Sequence, residues 1–199
     1  MKKIILASKS ERRKKLLEDL FGNNLIIHPS NFDENSIKEK NPVKLAKKLA
    51  LFKAREVSKF YKEGIIIAAD TFVVYEKKNK KVILGKPKNQ EDAFNMLKMQ
   101  SGKKTIVVSG LAVIDLYNKK KEYNDYEITK IKMTKMTDGE IRGYIKTGDP
   151  FDKAGSYGMQ SKGAVFVDKI EGSFSNVVGL PLTKLLKILR KIKINLFEY

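Results

Sequence analysis

The 199-residue chain contains no cysteine and only one histidine. The absence of cysteine excludes disulfide bonds, thiolate metal sites and a cysteine nucleophile. The single histidine, His28, stands beside Pro29 and fits a structural role, and a metal site with two histidine ligands is impossible. The candidate functional residues are therefore carboxylates, lysines and arginines.

The sequence also lacks an apolar run long enough to cross a bilayer. After Lys2 and Lys3, the apolar residues 4–7 are too few for a signal peptide. We therefore expect a cytoplasmic protein with no membrane partner. A hydrophobic content of 42% is enough for a core, and the length predicts a single domain over residues 1–199, built as one body or as two closely packed lobes.

Positive charge is in excess, with a formal net charge of +18. Nucleic acid, an anionic membrane surface or a phosphorylated substrate would each suit such a charge. The lysines are spread along the whole chain, as is typical of solvated faces, whereas surfaces that bind nucleic acid interleave aromatic residues with the charges. We expect no specific nucleic-acid partner, and a nucleic-acid-binding protein remains an alternative that rests on charge alone.

The most informative stretch is residues 64–87. Its short, β-branched apolar run, interrupted by Asp70 and Thr71, predicts a strand buried on both faces. A carboxylate there costs free energy unless a metal ion, a lysine or N–H donors compensate its charge. The stretch ends in Gly85, Lys86 and Pro87, where the glycine lets the backbone approach a ligand closely. We expect Asp70 and Lys86 to face one cleft, against the alternative of a satisfied aspartate and a solvated lysine.

A second candidate site follows the first strand, which is predicted over residues 3–7. A polar turn leads into a helix that Ser8 or Ser10 can cap. Helix N-termini attract anions, and Arg12 and Arg13 add guanidinium groups that match phosphate oxygens. The pattern indicates a phosphate site, although a surface helix with scattered charge has the same residues.

The remaining pattern alternates helices with strands. Asn41 and Pro42 begin a helix whose apolar periodicity ends near Lys53, and Glu34 in the preceding loop is either a hard-metal ligand or a solvated residue. Further predicted elements are a helix over residues 89–102, strands over 105–116 and 123–133, a helix that Thr137 and Glu140 begin with a capping box, an irregular loop over 147–160, a strand over 164–170, a polar loop over 172–176 and a final helix over 180–189.

Four blocks of this sequence resemble the Maf proteins, which are nucleoside triphosphate pyrophosphatases once described as septum-formation inhibitors. They are Leu6-Ala7-Ser8 through Arg12-Arg13, Ala69-Asp70-Thr71, Leu84-Gly85-Lys86-Pro87, and the tract DKAGSYGMQ at residues 152–160 that continues to residues 170–173 and 176–182. Together the blocks span nearly the whole chain in family order. Glu11 stands where the family commonly has proline, and the lysine-rich insertion at residues 77–81 is local to this chain.

The resemblance implies an α/β fold of the Maf/ITPase type, with a two-lobed mixed sheet flanked by helices and a nucleotide cleft between the lobes. It also implies a homodimer and hydrolysis of a nucleoside triphosphate to the monophosphate and pyrophosphate, with Mg²⁺ or Mn²⁺. A cell-division regulatory protein without catalysis is a further alternative, which rests on the older family name.

Transferred position by position, the resemblance makes Asp70 the catalytic or metal-organising carboxylate and Glu34 a second carboxylate near the metal. It makes Lys53, Lys86 and Lys153 phosphate ligands, and Ser8, Arg12 and Arg13 an N-terminal phosphate site.

The resemblance places Arg12, Thr71 and Gln160 among the substrate-selecting positions. Gln160 offers both a donor and an acceptor to the carbonyl and N–H edge of uracil or thymine. The resemblance therefore implies dTTP and UTP as substrates, ahead of 7-methylguanosine triphosphate.

Overall fold

The computed structural model describes residues 2–77 and 80–199. Lys78 and Asn79, part of the insertion noted at residues 77–81, lie outside the described residues. Within the described ranges the chain forms seven strands and six α-helices, joined by short 3₁₀ turns. In chain order they are β1 (Ile4–Leu6), α1 (Glu11–Phe21), β2 (Leu25–Ile27), α2 (Pro42–Ser58), β3 (Ile65–Lys77), β4 (Lys80–Leu84), α3 (Gln90–Gln100), β5 (Lys104–Asp115), β6 (Lys121–Met133), α4 (Asp138–Lys146), β7 (Val167–Glu171), α5 (Phe174–Val178) and α6 (Leu182–Lys191).

The described strands form one mixed sheet in the order β2-β1-β3-β5-β6-β7, with β4 paired to β3. β1 is parallel to β2 and to β3, whereas the β3–β4 and β6–β7 pairs are antiparallel. The predicted α/β class with a mixed sheet and flanking helices is confirmed. In the part of the chain that the structure describes, no helix is both long and apolar enough to span a bilayer.

The contacts within the chain divide it into two compact units. The first unit comprises Met1–Asp70, Ser109–Glu127 and Gly179–Tyr199, and the second comprises Thr71–Val108 and Ile128–Val178. Each unit has its own apolar core.

The first unit is a helix–sheet–helix sandwich. Alternate residues of β3 point to opposite faces of the sheet. Ile65 and Ile67 pack with α1 and α6 on one face, and Ile66 and Ala68 pack with α2 on the other. The strand order explains why α1 and α2 lie on opposite faces. Helix α1 connects β1 to β2, and helix α2 connects β2 back across β1 to β3, so the two crossover connections run in opposite directions along the sheet.

Helix α2 lies very close to the sheet at Gly110 of β5. A Cβ atom on Gly110 would lie only 2.1 Å from the carbonyl oxygen of Ala46. Small residues therefore set the distance between helix and sheet, and any larger residue at position 110 would push α2 away.

The second unit packs helices α3 and α4 together around a core that includes Leu97, Ile131 and Ile141. Two predicted helix starts were confirmed here. The helix expected from residue 89 begins there, with Asn89 capping α3 by accepting from Asp92 N. Thr137 and Glu140 form the predicted capping box at α4. The helix starts were therefore readable from local sequence.

Two local predictions in the second unit were wrong. The strand expected over residues 164–170 begins only at Val167, because Lys162–Phe166 forms a 3₁₀ turn. A Cβ atom on Gly163 would lie 2.4 Å from the Tyr144 hydroxyl oxygen, so close packing fixes this turn. The loop expected over residues 172–176 instead contains the start of α5, where Ser173 Oγ accepts a hydrogen bond from Asn176 N.

Candidate active site

In the first unit the candidate residues gather where β1 ends and β3 continues beyond its pairing with β1. The two strands pair only from Ile4 to Leu6 and from Ile65 to Ile67, so Ser8 and Asp70 both lie just beyond the paired region. The chain leaves β1 towards β2 and reaches β3 by crossing back, which makes this edge a switch point of the parallel sheet. Such edges are the usual ligand sites of open α/β sheets.

Lys53 joins two carboxylates at this edge. Its Nζ donates a hydrogen bond to Asp70 Oδ1 and lies 2.7 Å from Glu34 Oε1. The Lys53 and Asp70 side chains are only 12% and 8% exposed, whereas that of Glu34 is 54% exposed. The ammonium is therefore shared between a buried carboxylate and one that faces solvent.

The positions of Lys53 and Asp70 follow from the helical period of α2 and the alternating period of strand β3. Asp70 continues the set of β3 residues that point towards α2. Lys53 lies on the sheet-facing side of α2, within the helical spacing of the buried residues Ala46, Leu49, Ala50, Ala54 and Val57. A lysine at a core position of the helix thus meets an aspartate at a core position of the strand.

The charge state of Asp70 is set by its burial. Burial raises the pKa of Asp70, and the Lys53 ammonium and the Arg13 guanidinium oppose that shift. Its second oxygen, Oδ2, is buried and has no hydrogen-bond partner among the described residues. A buried acceptor without a donor is costly, and beside Lys53 and the half-exposed Glu34 it makes Oδ2 a candidate contact point for a ligand.

A pair of aromatic rings supports the loop that carries Glu34. Phe32 and Phe52 stack with ring centroids 5.2 Å apart and an angle of 5° between the ring planes. Phe32 lies two residues before Glu34, and Phe52 directly precedes Lys53. The stack therefore ties the Glu34 loop to α2 beside the lysine.

The residues of the predicted N-terminal phosphate site lie at the start of α1. Ser10, rather than Ser8, caps this helix by accepting from Arg13 N. Ser8 is buried, and its Oγ accepts from Ser10 N at 3.2 Å and from Arg13 Nη1 at 3.2 Å. Arg12 is half-buried on the first turn of the helix.

Arg13 also has a structural bond that the sequence did not reveal. Its Nε donates to the carbonyl oxygen of Gly179 at 2.8 Å, which fixes the segment leading into α6. Burial lowers the pKa of Arg13, and the charge of Asp70 opposes the shift. Arg13 thus lies within the field of Asp70 while it holds two parts of the unit together.

The second unit contains the other predicted residues. Lys153 is buried and its Nζ contacts Asp149 and Asp152. Lys86 and Gln160 are exposed, and Thr71 is half-buried. The two exposed side chains are free to meet a ligand from solvent, whereas Lys153 is held in an ion-pair network.

The sequence did not reveal the bonds that surround Lys153. The hydroxyl of Tyr144 in α4 donates to Asp149 Oδ2 at 2.6 Å. Ser161 Oγ donates to the same oxygen at 2.7 Å. The signal available in the sequence was the run of charged residues in an irregular loop, which suggested a ligand and did not specify these bonds.

The donor set at the first-unit edge fits a hard divalent cation. Glu34 and Asp70 supply carboxylate oxygens, and Asp70 Oδ2 is buried without a partner among the described residues. The described residues contain no group of three or more histidine, aspartate or glutamate side chains that could hold a metal ion by themselves. Two carboxylates suit Mg²⁺, which is typically bound by one or two carboxylates together with substrate phosphates and water.

Comparisons with known proteins found relatives that match nearly the whole chain. A dTTP/UTP pyrophosphatase of Methanosarcina barkeri is 44% identical over 198 residues, which cover 100% of this chain and 98% of the relative. A protein of the same name from Carboxydothermus hydrogenoformans is 46% identical and covers 95% of this chain and 98% of its own length.

The solved structure of the Staphylococcus aureus Ham1 protein covers 96% of this chain and 100% of its own, with a TM-score of 0.50 at 14% identity. That likeness shows the fold alone. The family model described as Maf-like protein matches residues 3–192. The chain therefore belongs to the Maf family, as its sequence motifs predicted.

Proposed function

We propose that this protein is a nucleoside triphosphate pyrophosphatase that hydrolyses dTTP and UTP to the monophosphate and pyrophosphate in the cytoplasm. The observation that carries the proposal is the buried pair of Lys53 and Asp70, with one aspartate oxygen left without a partner among the described residues. The relatives described above are named for this activity.

Binding a triphosphate requires that about four negative charges be neutralised before water can attack the α-phosphorus. Lys53, Lys86 and Lys153 supply ammonium groups, and Ser8, Arg12 and Arg13 supply donors at the start of α1. The Lys53 ammonium contacts Glu34, whose side chain is 54% exposed to solvent. We assign these residues to the phosphates.

Asp70 accepts the proton of the attacking water. A general base works best when its pKa approaches the operating pH, and burial moves the pKa of Asp70 upwards in that direction. Lys53 keeps Oδ1 occupied, so Oδ2 is the oxygen left to face the attacking water and the cation.

Glu34 and Asp70 would hold a divalent cation, Mg²⁺ or Mn²⁺. When bound, the cation would neutralise phosphate charge and stabilise the departing pyrophosphate. The protein's own contribution is to fix the two carboxylates, one through Lys53 and burial and the other through the Phe32–Phe52 stack.

Base selection is assigned to Gln160, with Thr71 and Arg12 as the other selecting positions. The exposed amide of Gln160 can donate to a pyrimidine carbonyl and accept from the neighbouring ring N–H at the same time. A glutamate there would only accept when ionised, which suits a guanine edge instead.

The test is pyrophosphate release from dTTP, UTP, CTP, GTP and 7-methyl-GTP, measured with Mg²⁺ and with EDTA. We expect release that depends on the cation and is fastest with dTTP and UTP. Equal or faster release from 7-methyl-GTP would contradict the base assignment, and release from none of the five would contradict the proposed function.

We further propose that the whole chain acts as one Maf-like domain and assembles as a homodimer. The match of the family model over residues 3–192 supports the first point. Light scattering after size-exclusion chromatography tests the second, because a monomer mass at micromolar concentration would contradict it.

A further inference from the structure

Lys153 is a buried lysine held by two neighbouring acidic residues. Its Nζ donates to the Asp149 carbonyl oxygen at 2.8 Å and to Asp152 Oδ1 at 2.5 Å. The same nitrogen lies 3.1 Å from Asp149 Oδ1. A buried ammonium needs such partners, because its charge is costly to remove from water.

Asp149 is itself fixed from the other side. Its Oδ2 accepts hydrogen bonds from the Tyr144 hydroxyl at 2.6 Å and from Ser161 Oγ at 2.7 Å. The Tyr144 hydroxyl in turn accepts from Gly158 N at 3.2 Å. Both oxygens of the carboxylate are therefore committed, one towards Lys153 and one towards two hydroxyl groups.

The backbone closes tightly around this network. A Cβ atom on Gly158 would lie 2.1 Å from Ser161 Oγ and 2.4 Å from Lys153 Cε. The stem of the lysine is thus confined as well as its charged end, and Lys153 has little freedom to adopt another position.

The two carboxylates that contact Lys153 differ in how they are held. The Asp149 side chain is 17% exposed, and the Asp152 side chain is 61% exposed. Burial alone would raise the pKa of Asp149, but the hydrogen bonds from Tyr144, Ser161 and Lys153 together keep it below its ordinary value. Asp149 therefore remains ionised and in place.

We propose that Asp149 is the positioning residue for Lys153, holding its ammonium group where it meets a phosphate of the substrate. The inference rests on the proposed function, in which Lys153 is a phosphate ligand. Charge alone argues for the opposite effect, because a carboxylate beside a lysine weakens the attraction of that lysine for an anion. Removing the carboxylate should therefore weaken substrate binding if Asp149 positions Lys153, and strengthen it if Asp149 only neutralises the lysine charge.

The experiment compares Asp149→Asn with Asp152→Asn in steady-state pyrophosphate release from dTTP. Each variant removes one negative charge that contacts the same ammonium, but only Asp149→Asn disturbs the bonds to Tyr144 and Ser161. We expect KM to rise by about tenfold or more in Asp149→Asn, the scale of one charge-assisted hydrogen bond. We expect a change of less than about threefold in Asp152→Asn, and a fall in KM for Asp149→Asn would overturn the proposal.

A double-mutant cycle with Lys153→Met separates positioning from a general structural role. If Asp149 acts through Lys153, adding Asp149→Asn to the Lys153→Met variant changes KM by less than about twofold. An equal rise in both backgrounds would overturn the proposal. Tyr144→Phe removes one of the two hydroxyl donors to Asp149 Oδ2 without removing a charge. It should also raise KM, and it tests the proposal if Asp149→Asn does not fold.

Calorimetric binding of inorganic tripolyphosphate to the same variants tests the role of Asp149 separately from the proposed pyrophosphatase activity. A wild-type protein that binds tripolyphosphate but releases no pyrophosphate from any nucleotide contradicts the proposed function, and the effect of Asp149 on binding is still measured. Equal tripolyphosphate affinity in wild type and Asp149→Asn would overturn the role of Asp149.

Discussion

Lys53 donates a hydrogen bond to one oxygen of Asp70, while the other oxygen of Asp70 is buried and has no partner among the described residues. The lysine compensates the charge of the buried carboxylate but leaves half of its hydrogen-bonding capacity unused. An unsatisfied buried acceptor costs about 1–3 kcal/mol of stability, and this one lies beside the charged groups of the candidate site. The relationship is therefore best understood as a stability cost retained for a reaction.

The first prediction concerns the Asp70 carboxylate. Asp70→Asn keeps the shape of the side chain and removes the proton acceptor, so we expect turnover of dTTP to fall by roughly 10²-fold or more, the usual scale for a lost acid–base group. The measurement is kcat from initial rates of pyrophosphate release at saturating nucleotide.

Asp19→Asn is the matched control for this variant. Asp19 is exposed on α1 in the same unit, and its replacement removes the same charge away from the site. We expect wild-type turnover from Asp19→Asn. Near-normal turnover in Asp70→Asn would contradict the proposed role of Asp70 as proton acceptor.

The second prediction concerns the acid side of the pH–rate profile. Asp70 must be ionised to accept a proton, and burial raises its pKa above the ordinary aspartate value of about 3.9. Activity should therefore be low at acid pH and rise as the pH passes upward through this raised pKa. Lys53→Met removes the larger of the two charges that oppose the shift, so the acid limb should move to still higher pH in that variant.

Stability should change with pH in the opposite direction to activity. With its folded-state pKa raised, Asp70 contributes stability that is fully present below its unfolded pKa and is lost as the pH rises through the folded value. Thermal unfolding of wild type and Asp70→Asn across this range measures that loss as a fall in the Tm of wild type relative to that of Asp70→Asn. An acid limb that stayed at the ordinary aspartate value in both wild type and Lys53→Met would argue against Asp70 as the titrating group.

The need for a partner at Asp70 could be predicted from the sequence, but the identity of that partner could not. The buried strand pattern required a metal ion, a lysine or N–H donors, and the structure supplies Lys53. The choice depends on how closely α2 approaches the sheet, which Gly110 sets through its contact with Ala46. That contact joins residues far apart in sequence, so no local pattern reveals it.

Irregular backbone limited prediction in the second unit. Helix starts with side-chain caps were readable because cap and helix are neighbours in sequence, as at Thr137 and Glu140. The turn at Lys162–Phe166 was not, because it depends on packing of Gly163 against Tyr144. Lys153 was predicted from its motif, whereas Asp149 was not, because its bonds to Tyr144, Ser161 and Lys153 form only when the loop folds.

The third prediction concerns the aromatic stack that supports Glu34. Phe32→Ala removes the ring that packs on Phe52, so Glu34 should lose its fixed position beside Lys53. Small misplacements of a site group are costly to catalysis, and we expect kcat/KM for dTTP to fall by about tenfold to a hundredfold. Initial rates at several nucleotide concentrations measure the effect.

Two further variants isolate the role of the stack. Phe197→Ala removes an aromatic ring that is 96% exposed, and we expect it to have no effect on the rate. In a Glu34→Gln background the further change Phe32→Ala should lower the rate little, because the group that it positions is already gone. A full additional loss in that background would mean that Phe32 acts on something other than Glu34.

The fourth prediction concerns base selection by Gln160. Gln160→Glu removes both N–H donors of the amide and leaves an ionised group that only accepts hydrogen bonds. Because a pyrimidine edge presents a carbonyl acceptor beside an N–H donor, the variant should repel the carbonyl and lose dTTP and UTP. The ratio of kcat/KM for dTTP to that for 7-methyl-GTP should fall by roughly tenfold or more, since a buried or paired acceptor left without its donor costs about that factor. Gln90→Glu, the same change at an exposed position at the start of α3, should leave the ratio unchanged. A loss of activity shared equally by all nucleotides would place Gln160 in phosphate binding or in the structure of the loop, because only a residue that contacts the base changes one substrate relative to another.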